Sequence, residues 1–216
     1  MASPQTLRGA ASRTRLLHAA ANELIERDGA LEVVSVAARA RVSVGLIYRW
    51  FDSKAGLVAA VVEDFYDRLD GAVFDPDPAP GASWAERERT RTELAVAFHY
   101  EDPLAHVVLS RLSREPRIAA IEADRVDRHI AAATRNLQSG QERGEIPPDL
   151  DPELVGAMVL GGIREVLRHA LAREPQRPPR DAVVDELWRF IVAAVRFKSP
   201  SNRGRAHGRQ GAVREA

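Results

Sequence analysis

Between Arg41 and Leu57 the chain reads RVSVGLIYRWFDSKAGL, and the groups there with chemistry to offer are mostly donors. They are the Ser43, Tyr48 and Ser53 hydroxyls, the Arg41 and Arg49 guanidinium groups, the Trp50 indole N–H and the Lys54 ammonium, with Asp52 as the one carboxylate among them. Such donors suit the oxygens of an anion or the edges of a base more than they suit bond-making. The stretch also holds three aromatic rings and an aliphatic triplet around Gly45, more apolar bulk than a polar surface needs. Core packing accounts for part of it, and the rest points to a surface that faces a partner.

Elsewhere catalytic groups are hard to assemble. Cysteine is absent, so the chain has no thiol nucleophile, disulfide framework or Cys-based zinc site. The six histidines, His18, His99, His106, His129, His169 and His207, form no HExxH, and neither a glycine-rich phosphate loop after a strand nor a nucleophile elbow occurs. Glu165 and His169 lie one helical turn apart and can touch a metal, but such pairs are ordinarily surface or packing neighbours. The sequence therefore implies no enzyme, no metal and no cofactor. With 216 residues, 45% apolar and 29% charged, the composition fits a soluble protein of one or two domains. The longest apolar run, residues 154–163, is about half the roughly 20 residues of a membrane span, and no apolar segment follows the charged N-terminus. A cytoplasmic protein with no membrane partner is expected.

The elements that must position the donors are helical throughout. Leu16, Leu17, Ala20, Leu24 and Ile25 repeat at three- and four-residue steps, with Ser12 or Thr14 placed to cap the start and Gly29 to stop the helix. A short helix with Val33, Val36, Ala37 and Ala40 on one face follows. Ser43 is placed to cap a third helix from about Val44 to Phe51, and Asp52 or Ser53 to cap a long fourth. DPDPAPGAS, with three prolines, breaks that helix. Helical patterns resume over residues 84–100, 103–114, 117–144, 152–174 and 180–197, for about nine helices and no alternating strand.

Two short helices joined by a tight connection, the second too rich in large residues to bury them all, make a helix-turn-helix pattern, whose second helix enters the DNA major groove. At helical period Val42, Ile47 and Phe51 fall inward, and Val44, Gly45, Leu46, Tyr48, Arg49 and Trp50 fall outward or sideways. A glycine inside a helix costs about 1 kcal/mol relative to alanine, which close approach of backbone to DNA would offset. Net charge is zero but unevenly divided. Residues 1–60 hold eight Arg or Lys against five acids, residues 198–216 hold five against one, and the middle carries the acidic excess. A basic binding module on an acidic body fits that division.

The stretch VAARARVSVGLIYRWFDSKAGL resembles the DNA-binding signature of the TetR family of transcriptional regulators, matching at Ala37, Ala40, Val42, Ser43, Gly45, Tyr48, Phe51, Lys54 and Leu57. It departs from the family at Arg41, which stands at the usual turn glycine, and at Trp50, where His or Tyr is usual. The link after Gly29 is short, so the start of the second helix is open. The resemblance implies an all-α fold: a three-helix DNA-binding unit over 10–57 and a ligand-binding and dimerisation domain over 58–197. Residues 198–216, without periodicity, are expected to be a disordered basic tail. It also implies a repressor released from a palindromic operator by a small molecule. Tyr48, Trp50 and Lys54 are similar to positions that touch phosphates, and Ser43, Val44, Gly45, Leu46 and Arg49 to positions at the DNA. Arg49 can grip a guanine edge or a phosphate.

Candidate effector-binding residues are the aromatic and polar groups of the body, Phe65, Trp84, Phe98, His99, Tyr100, His106 and Met158. The last two long helices carry apolar residues around more of their circumference than one core requires. The resemblance implies that they pair with their two-fold mates in a homodimer, through Gly161, Gly162, Leu187, Trp188 and Ile191. Two such subunits present their recognition helices about 34 to 36 Å apart. The rival readings are an enzyme, and a helical partner-binding module, which explains the bundle but not the ordered signature in residues 37–57.

Overall fold

The computed structural model describes residues 4–113 and 115–197, with side chains from residue 11 onward, so the expected tail at 198–216 lies outside the described residues. Nine α-helices and no strand occur among them. The first, α1 (Pro4–Glu26), starts well before Ser12 and Thr14. Those hydroxyls are therefore interior to the helix. Pro4 stands at its first position, where a missing N–H costs nothing, and the following Gln, Leu, Arg and Ala residues carry the helix without a cap at Ser12. Its end is a Schellman turn. Gly29 N–H donates to Leu24 O at 2.8 Å and Asp28 N–H to Ile25 O at 3.4 Å, with Asp28 itself left-handed at φ 50° and Gly29 at φ 94°.

Three short elements follow. Helix α2 (Val33–Ala40) begins after Glu32, whose side chain makes no cap; Val33, Val36, Ala37 and Ala40 are buried as the pattern predicts. Buried Glu23 of α1 ties the pair together, accepting from Ser35 Oγ at 2.8 Å, and forms an ion pair with Arg27 at 2.8 Å. Arg41 takes the left-handed turn conformation, φ 56° and ψ 47°, that a glycine usually supplies. Helix α3 (Val44–Phe51) is capped by Ser43, whose Oγ accepts from Leu46 N–H at 3.2 Å. Ser53 rather than Asp52 caps α4 (Lys54–Leu69), accepting from Gly56 N–H at 2.9 Å. Any Cβ at Gly56 would collide with the Phe51 carbonyl oxygen. The α3–α4 corner thus requires glycine there.

A π-turn, Asp70–Phe74, extends α4. After the proline segment, Ser83 and Glu86 form a reciprocal capping box at the start of α5 (Trp84–Glu101). The short α6 (Leu104–Val107) runs into a second π-turn, Val108–Leu112. Then come α7 (Pro116–Glu142), α8 (Pro152–Leu171) and α9 (Arg180–Ala194). The limit expected at 57/58 falls inside α4. One apolar cluster runs from α1 through α4 into α6, α8 and α9, centred on Leu16, Leu24, Leu57 and Phe65. A second gathers Trp84, Leu137, Ile146, Leu150, Val155 and Ile191 at the far end.

The body also buries a polar network that the sequence does not announce. Arg125 on α7 donates to Asp70 at 2.5 Å and to Asp67. His129 Nε2 lies 2.6 Å from the same Asp70, with its ring stacked on Phe74 at 3.8 Å between centroids. Glu122, buried, accepts from Tyr66 Oη at 3.2 Å and from Arg164 at 2.8 Å. Desolvation beside Glu122 pushes the Tyr66 phenol well above its usual range.

Candidate DNA-binding face

Helix α3 divides its residues as the period requires. Ile47 and Phe51 are buried, and the Arg13 guanidinium covers the Phe51 ring at 5.6 Å. On the other side Gly45, Tyr48 and Arg49 are exposed, with Tyr48 at 44%. Val44, Leu46 and Trp50 are half-buried; Val44 and Trp50 lean on the core edge. Nothing lies within 4 Å of a Cβ placed on Gly45, so a flat object can come close to the backbone there. Lys54, exposed, opens α4 beside the Ser53 cap, where the backbone dipole adds to its charge. Among the described residues neither Arg49 nor Lys54 ends on a carboxylate. Ser43, Val44, Gly45, Leu46, Tyr48, Arg49, Trp50 and Lys54 therefore gather at α3 and the start of α4, with Ser43 engaged as a cap.

The body candidates are scattered by comparison. Phe65, fully buried, meets Phe98 and His99 edge-on at 5.3 and 6.0 Å between ring centroids. The His99 Nδ1 lies 2.8 Å from the Ala95 carbonyl, and burial holds the imidazole below the usual histidine range. Tyr100 donates to the Pro178 carbonyl at 3.0 Å and packs under the Arg177 guanidinium. Trp84 belongs to the other cluster, stacked near Trp188 at 6.5 Å. His106 has a buried Nδ1 without a hydrogen-bond partner, as have Trp84 Nε1, Ser110 Oγ and Arg177 Nε. Met158 is not inside the body at all: it is 58% exposed on the outer face of α8.

The expected dimer residues also divide. Leu187 and Ile191 are core residues of the protomer, at 1% and 4% exposure, because α9 turns that stripe toward its own chain. Gly162 is covered from within, since a Cβ there would meet the Phe190 ring at 2.9 Å. Gly161 is exposed with nothing near it, and Trp188 is half-buried. The large apolar groups actually exposed on these helices are Leu154, Met158, Val166 and Phe190. Glu165 and His169 are exposed, and the Glu165 carboxylate is held by Arg168 at 2.5 Å. No group of three potential metal ligands occurs among the described residues, and no helix among them is long and apolar enough to cross a membrane.

One contact that the sequence does not reveal joins the two parts. Arg111, in the second π-turn, donates to Asp28 at 2.8 Å, and the Arg111 side chain lies so close to Gly29 that an added Cβ would stand 2.9 Å away. The Arg111 hydrogen bond holds the Asp28 carboxyl below its usual range.

A capped eight-residue helix with outward donors, set by a tight turn on a short helix and backed by a larger all-helical body, defines a helix-turn-helix unit on a helical bundle. Residues 16–61 match the family described as "Bacterial regulatory proteins, tetR family", so this segment is similar to TetR-type regulators. No curated protein sequence matches the chain. Solved structures share the fold. A TetR-like transcriptional regulator from Rhodococcus sp. is 22% identical, with TM-score 0.66 over 87% of this chain and 97% of that one. FadR from Bacillus subtilis, in complex with stearoyl-CoA, is 18% identical, with TM-score 0.69 over 84% and 98%. GusR of Salmonella enterica is 19% identical, with TM-score 0.67 over 86% and 95%.

Proposed function

We propose that the protein is a repressor that binds a palindromic operator as a homodimer and is released by a small molecule. The observation that carries the DNA reading is the outward face of α3: among the described residues Arg49 and Lys54 have no acid partner, Tyr48 is exposed, and the backbone at Gly45 is open. Tyr48, Trp50 and Lys54 then donate to phosphates, while Val44, Leu46 and Arg49 meet base edges across the backbone of Gly45.

The second copy docks on α8 and α9. Leu154, Met158 and Gly161 recur at four- and three-residue steps along exposed α8, and Phe190 extends the apolar surface from α9. Burial of such a face is favourable by about 25 cal/mol per Å² of apolar area. The effector enters the helical body, where the buried His106 Nδ1 and Ser110 Oγ, one helical turn apart and without hydrogen-bond partners among the described residues, offer polar anchors. Because FadR of B. subtilis holds stearoyl-CoA in the same fold, long-chain acyl thioesters head the compounds to screen. The Asp28–Arg111 contact carries the response, since a ligand that shifts the second π-turn moves the end of α1. DNA affinity then falls by the ligand's differential binding energy, commonly about 1–3 kcal/mol.

Selection of bound duplexes from a random pool tests the reading directly. A palindromic consensus is expected. Recovery of no preferred sequence by folded dimer would overturn it.

A further inference from the structure

The turn between α2 and α3 places an arginine where the backbone disfavours one. At φ 56° Arg41 occupies the left-handed region that glycine, asparagine and aspartate tolerate best. Its side chain gives nothing back inside the protomer. Arg41 is exposed, and among the described residues no acid, carbonyl or ring holds its guanidinium. A strained residue with no internal compensation points to an external use.

The surroundings say what that use is. Arg41 lines an open cleft of about 600 Å³ between α1 and the end of α2, together with Arg15, His18, Asn22 and Arg39. No carboxylate is among the lining residues. Arg39 is held by Glu26 at 2.7 Å. Among the described residues Arg15 bonds only the neutral Ser12 hydroxyl, at 2.9 Å. Two uncommitted guanidinium forks thus share one cleft, and the chain leaves it through Val42 and Ser43 straight into the capped start of α3. Guanidinium forks match the paired oxygens of a phosphate.

We propose that this cleft seats a phosphate of the DNA backbone flanking the groove that α3 enters, with Arg41 and Arg15 as its two donors. The proposal rests on the DNA reading given above, and the test separates the two. Duplex binding is followed by fluorescence anisotropy from about 50 to 300 mM salt, with the selected operator and with a scrambled duplex. Arg41→Gly removes one phosphate contact in each subunit of the dimer, so it should reduce the log–log salt slope by about 1.8 and weaken both duplexes by the same factor. Its melting temperature should stay equal or rise, because glycine relieves the left-handed turn. Arg41→Asn, which tolerates that turn without glycine's freedom, should lower the slope equally. Arg15→Ala should add little on top of either.

Unchanged slopes in both Arg41 variants, alongside a reduced slope for Lys54→Ala, would overturn the cleft and leave the DNA reading standing. Failure of the wild type to bind any duplex would overturn both. A lower melting temperature for Arg41→Gly would assign the side chain a role inside the fold and dismiss the proposal. Inorganic phosphate that stabilises the wild type but not Arg41→Gly, with duplex slopes unchanged, would make the cleft a free-anion site and likewise dismiss it.

Discussion

The two ends of the molecule leave opposite kinds of group without partners. Around α1–α3 and the start of α4, Arg13, Arg15, Arg41, Arg49 and Lys54 end on no carboxylate among the described residues, and only Arg27 and Arg39 pair with acids, Glu23 and Glu26. In the body most arginines are neutralised internally: Arg68 by Asp64 and Asp102, Arg89 by Glu93 and Asp185, Arg125 by Asp67 and Asp70, Arg164 by Glu122. Among the described residues Arg87, which donates to the Ala82 carbonyl, Arg117, Arg135 and Arg173 are exceptions. What α8 and α9 leave uncovered is apolar, at Leu154, Met158, Val166 and Phe190. Formal net charge is zero, so the difference lies in placement rather than amount. One end leaves cations uncovered, the other apolar groups.

The largest expected effect comes from spoiling the apolar end. Met158→Glu puts a charge on the exposed stripe of α8 and should yield monomers in sedimentation. Losing the linked second half-site should then cost roughly 10²–10⁴ in operator affinity. A dimer retained at wild-type affinity would move the interface elsewhere.

Next is a neutralised cation. Arg125→Ala strands Asp70 and part of the polar network in a half-buried site, and should lower stability by about 2–3 kcal/mol in urea unfolding. Arg49→Ala, by contrast, should leave the unfolding midpoint within experimental error and weaken the selected operator. Equal destabilisation by both substitutions would erase the contrast between the two ends.

Lys54→Ala should reduce the salt slope by about one unit per subunit, about two for the dimer, with a several-fold loss for specific and non-specific DNA alike. Tyr48→Phe should weaken binding without that slope change. The smallest effect concerns pH. The buried His99 stays neutral in the folded protein below the usual histidine pKa, while the unfolded chain takes up a proton near pH 6.5. The unfolded state then binds more protons, so stability is lost as pH falls below about 6.5 and is unaffected above it. His99→Asn should flatten that part of the melting-temperature profile, and an unaltered profile would assign the acid loss to other groups.

Local signals were legible in the sequence wherever one residue decides the geometry. Ser43 and Ser53 cap as their positions suggest, Ile47 and Phe51 turn inward, and the helical path of α4 and its π-turn stops just before the prolines. The start of α1 was hidden because Ser12 and Thr14 look like caps, yet nothing upstream of them breaks a helix as far as Pro4. A broad apolar stripe misleads in another way. Periodicity shows that α9 has two apolar sides, but not that Leu187 and Ile191 fill the protomer's own core while Phe190 remains outside. Pairings such as Arg125 with Asp70, or Arg111 with Asp28, join residues far apart in the chain, and no local pattern encodes them.

The three tryptophans of the chain have a use of their own. Trp84 and Trp188 stand 6.5 Å apart at 27°, close enough for their excited states to couple, so together they form a chromophore on the body with a signature in near-ultraviolet circular dichroism. Trp50 stands on α3, remote in sequence and in a different apolar cluster. Unlabelled protein thus carries two optical reporters, one at each end, and replacing Trp50 with phenylalanine separates the signal of the body from that of the recognition helix.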